Sequence, residues 1–124
     1  MKKGKFSLKA RLNSFKCAFN GLRLLMNEHN ARIHCFAGVC VVVAGIIFDI
    51  SAMEWVAVTI VMGGVISAEA LNTAIEQLSN HVCSEYNNNI KHTKDLAAAA
   101  VLIMTIIAAI TGAIIFIPKI FTQY

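Results

Sequence analysis

Three polar side chains interrupt a long apolar run in the middle of the sequence. Glu69, Asn72 and Glu76 stand at positions i, i+3 and i+7 of this run and its end. In a helix this spacing places all three on one face. An ionised side chain inside a bilayer costs on the order of 3 kcal/mol even on lenient insertion scales, so such acids are candidates for function. This face could remove a proton from a hydroxyl or bind a cation.

Charged residues at the ends of two other apolar segments add to this chemistry. Glu28 ends an amphipathic segment, and Lys94-Asp95 precedes the last apolar run. Two carboxylates, such as those of Glu28 and Glu76, form a normal magnesium environment together with waters and phosphate oxygens. Lys94 would lie at about the depth of phosphate groups at the membrane boundary. Asp95 could cap the start of the following helix. The residues alone support an acidic site at the membrane boundary.

Each of these residues also has a purely structural interpretation. Glu28 could pair with Arg32 four residues later, and Lys94 could anchor a helix at the interface. Asn72 could form hydrogen bonds between helices. Glu69 could belong to a buried polar network that holds an oligomer together.

The composition excludes most soluble classes of protein. Of the 124 residues, 57% are hydrophobic and 15% are charged, whereas a soluble domain has about 45–50% and about 25%. A soluble chain of this size cannot bury that much apolar surface. The four cysteines have no zinc or redox spacing. We therefore expect a single integral membrane domain over residues 1–124.

The hydrophobic pattern predicts an all-α membrane protein. Apolar residues at helical spacing predict an amphipathic helix that lies in the membrane interface. Three apolar runs then predict transmembrane helices. Asn87-Asn88-Asn89 marks a loop before the last helix, and Pro118 is expected to close that helix. The expected boundaries are 7–28 for the surface helix and 33–50, 54–82 and 95–117 for the membrane helices.

The distribution of basic residues predicts the orientation. Most of the 11 Lys and Arg residues precede residue 33, and two lie in the 83–95 loop. The positive-inside rule then puts the N-terminus and this loop in the cytoplasm, with Lys119 on the other side. Glu76 would lie near the cytoplasmic headgroups, and Glu69 roughly 10 Å deeper. Nucleic acid is not an expected partner.

The motifs of this sequence resemble those of the prokaryotic diacylglycerol kinase / undecaprenol kinase family, over about residues 11–118. The specific block is Glu69-Ala70-Leu71-Asn72-Thr73-Ala74-Ile75-Glu76. Other matching segments are Ser14-Phe15-Lys16, Gly21-Leu22-Arg23, Glu28, Asn30-Ala31-Arg32-Ile33-His34 and Lys94-Asp95. The resemblance implies a homotrimer of three-span protomers in the bacterial inner membrane, with active sites shared between subunits. It also implies transfer of the γ-phosphate of ATP, with Mg²⁺, to a lipid alcohol.

The resemblance implies a role for each matching residue. Glu69 corresponds to the catalytic base, and Asn72 accompanies it in the lipid site. Glu28 and Glu76 correspond to the acids that bind the metal and the nucleotide. The other implied nucleotide contacts are Arg11, Cys17, Glu85, Tyr86, Lys94 and Asp95. No phosphate-binding P-loop motif occurs in the sequence.

Three positions depart from the family pattern. Asn80 stands where Asp is common, Cys17 where an aromatic residue is usual, and Asn87 where His is frequent. None is a metal-binding acid or the base, so we expect activity to persist with altered nucleotide affinity.

Two questions stay open from the sequence. The lipid could be diacylglycerol, giving phosphatidic acid, or undecaprenol, giving undecaprenyl phosphate. The alternative function is a non-enzymatic membrane subunit, for proton conduction or assembly, which needs only the carboxylate of Glu69.

Overall fold

The computed structural model describes residues 7–122, which form four α-helices. In chain order they are α1 (Leu8–Leu25), α2 (His29–Ile47), α3 (Ala52–Val82) and α4 (Asn88–Thr122). Helices α2, α3 and α4 are each long and apolar enough to cross a membrane. The prediction of an all-helical chain with three apolar helices is confirmed. The basic residues Lys2, Lys3 and Lys5, which contributed to the predicted orientation, lie outside the described residues.

The turn between α2 and α3 is tight. Ser51 caps α3: its Oγ accepts a hydrogen bond from the Glu54 amide at 3.2 Å, and Glu54 Oε1 accepts one from the Ser51 amide at 2.9 Å. Asp49 has a φ of 51°, a left-handed conformation that Asp tolerates better than most residues. The chain can therefore reverse direction within Phe48–Ser51 and start α3 two residues before the expected position 54.

Helix α4 begins at Asn88, seven residues before the expected position 95. Asn87 Oδ1 accepts hydrogen bonds from the amides of Asn89 and Ile90, at 2.9 and 3.3 Å. These bonds satisfy amides that a helix start leaves unpaired. The prediction that Asp95 caps this helix is therefore wrong, because Asp95 lies inside it and accepts from Lys91 Nζ at 2.7 Å.

Pro118 does not end α4, contrary to expectation. The helix continues to Thr122 with the proline inside it. Proline removes one N–H donor, but its ring does not prevent the following residues from staying helical. The Thr122 hydroxyl donates to the Pro118 carbonyl at 2.6 Å, which satisfies one carbonyl of the last turn.

Helices α3 and α4 form an antiparallel hairpin with a polar contact at each end. Lys119 Nζ lies 2.9 Å from Glu54 Oε2 at one end, and Lys94 Nζ donates to Asn80 Oδ1 at the other. At about 1.5 Å per residue, Glu54 and Asn80 are separated by roughly 39 Å along α3. This exceeds the roughly 30 Å hydrocarbon core of a bilayer, so the two contacts lie on either side of an apolar slab.

The buried core lies near the turn between α2 and α3. Ile50, Val58 and Ile115 form it, and the rings of Phe48 and Phe116 meet edge-to-face with centroids 6.1 Å apart. Most large apolar side chains elsewhere on α2, α3 and α4 are exposed. Such surfaces suit lipid tails or neighbouring subunits rather than water.

Two glycines let α2 approach α3 closely. A Cβ atom on Gly45 would lie 2.6 Å from Cη2 of the Trp55 ring, and one on Gly38 would lie 2.8 Å from Cε of Met62. Small residues at such positions are the usual means of close helix packing in membranes. The Trp55 ring is rigid, whereas the end of Met62 can move, so Gly45 is the stricter requirement.

Gly45→Ala is expected to destabilise the protein by about 1–3 kcal/mol, the usual effect of overpacking. Gly112→Ala is the matched control, because a Cβ there meets nothing within 4 Å. Thermal unfolding in detergent should show a lower midpoint for Gly45→Ala alone. Equal midpoints for the two variants would contradict the close contact between Gly45 and Trp55.

Candidate functional site

Glu69 is the only buried carboxylate among residues 7–122, with 3% of the residue exposed. It lies on α3 beside the buried residues Val65 and Ala68. Its Oε1 atom is 3.3 Å from Nε2 of His34 on α2. The polar face that the sequence predicted therefore includes one acid that is nearly inaccessible to water and has a histidine as its neighbour.

His34 is not among the site residues that the sequence predicts. It occurs only within one of the segments that resemble the family. The signal that could have identified it is a polar histidine at the start of an apolar run. Its side chain is 22% exposed, compared with 4% for the Glu69 side chain. The sequence could not predict this pair, because residue spacing within one helix does not show how α2 and α3 are aligned with each other.

Glu28 and Glu76 lie at the same level of the antiparallel pair α2 and α3. From the contact between His34 and Glu69, the distance along α2 to Glu28 is about 9 Å. The corresponding distance along α3 to Glu76 is about 10 Å. Glu28 is half-buried and Glu76 is exposed. Both acids therefore lie toward the end of α3 that the loop to α4 also occupies.

The structural interpretation of Glu28 as the partner of Arg32 is not what the structure shows. The Arg32 guanidinium donates to the Asn27 carbonyl at 3.3 Å. Glu28 is the N-cap of α2, but its side chain makes no hydrogen bond to the helix start. No ion pair between described residues involves Glu28 or Glu76.

The carboxylates of Glu28 and Glu76 are ligands of the type that magnesium ions bind. Mg²⁺ is usually bound by one or two carboxylates together with waters and substrate phosphates. In the part of the chain that the structure describes, no group of three or more His, Cys, Asp or Glu residues gathers to hold a metal. The two carboxylates therefore suit a site in which protein and substrate phosphates bind the Mg²⁺ ion together. They do not form a site in which protein ligands alone surround the ion.

Asn72 is half-buried on α3, one turn from Glu69 in the direction of Glu76. An amide at this position can donate and accept hydrogen bonds. It therefore supplies the polar group between the buried base candidate and the exposed acid.

A pocket of about 280 Å³ lies between the α3–α4 loop and the first turns of α4. Three of the predicted nucleotide contacts line it: Glu85, Tyr86 and Lys94. Asp95 does not line this pocket, and it pairs with Lys91 at 2.7 Å. The structure thus brings three predicted residues together and engages Asp95 in a local ion pair.

Arg11 and Cys17 lie on α1, and neither residue lines the loop pocket. Both are exposed. Cys17 lines a shallow groove along α1 together with Lys16, Asn20 and Arg23. The described chain does not place these two predicted contacts next to Lys94.

Two apolar grooves are lined in part by residues within about one turn of Glu69 on α3. One of about 100 Å³ starts at His34 and follows Gly38 and Val41 on α2 and Met62 and Val65 on α3. The other, of about 300 Å³, lies between α1 and α3. Its lining includes Ala18, Gly21, Leu25, Ala70 and Thr73. Grooves with apolar walls next to a buried polar group suit a ligand with one polar end and an apolar tail.

Comparison with known proteins identifies similar chains. The family described as prokaryotic diacylglycerol kinase matches residues 16–116. The undecaprenol kinase of Bacillus subtilis (strain 168) is 36% identical over 92 residues, which cover 74% of this chain and 75% of that protein.

Two proteins named diacylglycerol kinase are also similar. The one from Synechocystis is 34% identical over 109 residues, covering 86% of this chain and 62% of that protein. The one from Escherichia coli (strain K12) is 34% identical over 99 residues, covering 79% of this chain and 81% of that protein.

Proposed function

The chain belongs to the prokaryotic diacylglycerol kinase family, and from this premise we propose that it is a kinase of membrane lipid alcohols. It transfers the γ-phosphate of ATP to the hydroxyl of such a lipid. The observation that carries the proposal is the burial of Glu69 beside His34, next to apolar grooves. A carboxylate in this position can take a proton from a hydroxyl that arrives on an apolar tail.

Glu69 acts as the general base in this proposal. It accepts the proton of the lipid hydroxyl while the hydroxyl oxygen attacks the γ-phosphorus in line and ADP leaves. Asn72, one turn away, orients the headgroup through its amide. Phosphoryl transfer needs mainly positioning and charge neutralisation from the protein, and burial of the base keeps water out of the reacting pair.

Glu28 and Glu76 are the residues that would hold Mg²⁺. Bound there, the ion would neutralise charge on the phosphates. Neither carboxylate is engaged in an ion pair between described residues, so both retain oxygens to offer. The register of α2 and α3 supports their acting together at one level of the membrane.

Lys94 binds phosphate in this proposal, within the loop pocket that also holds Glu85 and Tyr86. Its contact on the protein is the neutral amide of Asn80, so its positive charge is not cancelled by that partner. Asp95 differs, because Lys91 already pairs with it. The contact uses Oδ2 of Asp95, so Oδ1 can still accept a hydrogen bond from the sugar.

The proposal also covers the assembly and the orientation. Large apolar side chains of α1, including Leu8, Leu12, Phe15 and Phe19, are exposed, which suits a helix lying in the membrane interface. Arg11 and Cys17 lie on this helix and do not line the loop pocket of the same chain. A homotrimer with sites completed across subunits accounts for nucleotide contacts on α1. We place the N-terminus and the site on the cytoplasmic side of the bacterial inner membrane.

Either of two lipids fits the site as described. Relatives are named for undecaprenol and for diacylglycerol, and both lipids present one hydroxyl on apolar chains. The non-enzymatic alternative, a proton-conducting or assembly subunit, requires only Glu69. It assigns no role to Glu28, Glu76 and Lys94, whereas the kinase proposal uses all three.

Glu69→Gln is expected to lower lipid phosphorylation at least about 100-fold, the usual contribution of a general base. Assembly and thermal stability should stay close to those of the wild type, because the amide fills the same space. The readouts are label transfer from γ-labelled ATP and size-exclusion chromatography in detergent. Glu54→Gln, on the same helix but at its other end, is the control. Near-normal phosphorylation by Glu69→Gln would refute the assignment of the base.

Lys94→Met is expected to raise the KM for ATP by about tenfold or more, since a hydrogen bond to a charged group contributes about 1.5–3 kcal/mol. The KM for lipid should not change. Lys119→Met is the matched control, because Lys119 lies near the opposite end of α4 and pairs with Glu54. Steady-state kinetics in mixed micelles measures both constants. Equal KM values for ATP in the two variants would show that Lys94 does not contact the nucleotide.

A further inference from the structure

We propose that His34 acts through Glu69: its imidazole carries the proton from the Glu69 carboxylate to water in each catalytic cycle. This inference rests on the proposed function, because it concerns the fate of the proton that Glu69 takes from the lipid hydroxyl. A base that keeps its proton cannot act again. The buried site therefore needs a route for the proton as well as an acceptor.

The geometry points to the imidazole as this route. Glu69 Oε1 lies 3.3 Å from His34 Nε2, a distance that a small side-chain adjustment turns into a proton-transfer contact. The Glu69 side chain is 4% exposed, whereas the His34 side chain is 22% exposed. The histidine thus touches the buried carboxylate with one nitrogen and still has access to the surroundings.

Among the described residues, neither the adjacent turns of α3 nor residues 96–118 of α4 offer Glu69 a titratable side chain. Between 96 and 118, α4 has no Asp, Glu, His, Lys, Arg, Cys or Tyr. One turn away on α3, the neighbours are Val65, Ile66, Asn72 and Thr73, none of which titrates. His34 is the only residue that forms an ion-pair contact with Glu69 among residues 7–122. On α2, the Arg32 guanidinium donates to a backbone carbonyl, and an arginine does not release its proton in proteins.

The proposed sequence of steps balances in protons and bonds. The lipid O–H bond breaks as the new O–P bond forms, the bond between the γ-phosphorus and ADP breaks so that ADP leaves, and the proton moves to the Glu69 carboxylate. The proton on Oε1 then passes to Nε2 of the neutral His34 ring, which restores the carboxylate and leaves an imidazolium. The imidazolium loses a proton to water, and rotation of the ring or proton exchange with water restores the starting tautomer. An imidazole suits this task because each of its two ring nitrogens can bind or release a proton.

The test compares His34→Ala and His34→Gln with the wild type in the full-length protein in mixed micelles. Both variants are expected to lose about tenfold or more in kcat, with the KM for ATP unchanged. Added imidazole should restore the kcat of His34→Ala, because it can carry the proton through the vacated space. Pyrazole has the same shape but little basicity, so it should not. His81→Ala, an exposed histidine at the end of α3, is the matched control and should keep the wild-type kcat.

Several outcomes would overturn the relay. They are a wild-type kcat in His34→Gln or His34→Ala, no rescue by imidazole, and equal rescue by imidazole and pyrazole. The last result would show that the ring only fills space. The proposed function itself fails in a different way, through absence of lipid phosphorylation in the wild type, so the two failures can be told apart.

Discussion

The arrangement of this protein depends on one carboxylate that is buried between two apolar helices. A charge at the depth of Glu69 is costly in a membrane unless a partner accompanies it, and His34 is that partner. The contact lies at the register of α2 against α3 that the structure shows. That register in turn places Glu28 and Glu76 at one level, about 9–10 Å along the helix axes from the buried pair. The acid therefore organises the site as well as taking part in its proposed chemistry.

The hairpin of α3 and α4 brings the remaining polar groups to the same end. Lys94 with Asn80 and Lys119 with Glu54 hold the two helices at both ends, with the apolar slab between them. Because α4 begins at Asn88, its first turns project beyond the slab and carry Lys91 and Lys94 into the loop pocket. The early start of α4 thus creates the surface that the kinase proposal assigns to the nucleotide.

Much of this could be predicted from residue types and spacing. The i, i+3, i+7 acids identified the polar face of α3, and run lengths identified three membrane helices. Contacts between helices could not be predicted, because they depend on register: the approach of His34 to Glu69 is the main example. The predicted start of α4 is seven residues too late, because Asp95 is a residue type that often caps helices. The side-chain oxygen of Asn87 is the group that caps this helix. Arg11 and Cys17 do not line the loop pocket, and their roles stay predictions.

The central claim is that this chain phosphorylates a membrane lipid, and one assay addresses it directly. Purified protein in mixed micelles receives γ-labelled ATP, magnesium, and both diacylglycerol and undecaprenol in the same tube. A lipid kinase is expected to give label in phosphatidic acid or in undecaprenyl phosphate, and the labelled product identifies the lipid. Label in neither product, with no detectable binding of ATP, would contradict the account and favour a non-enzymatic membrane subunit.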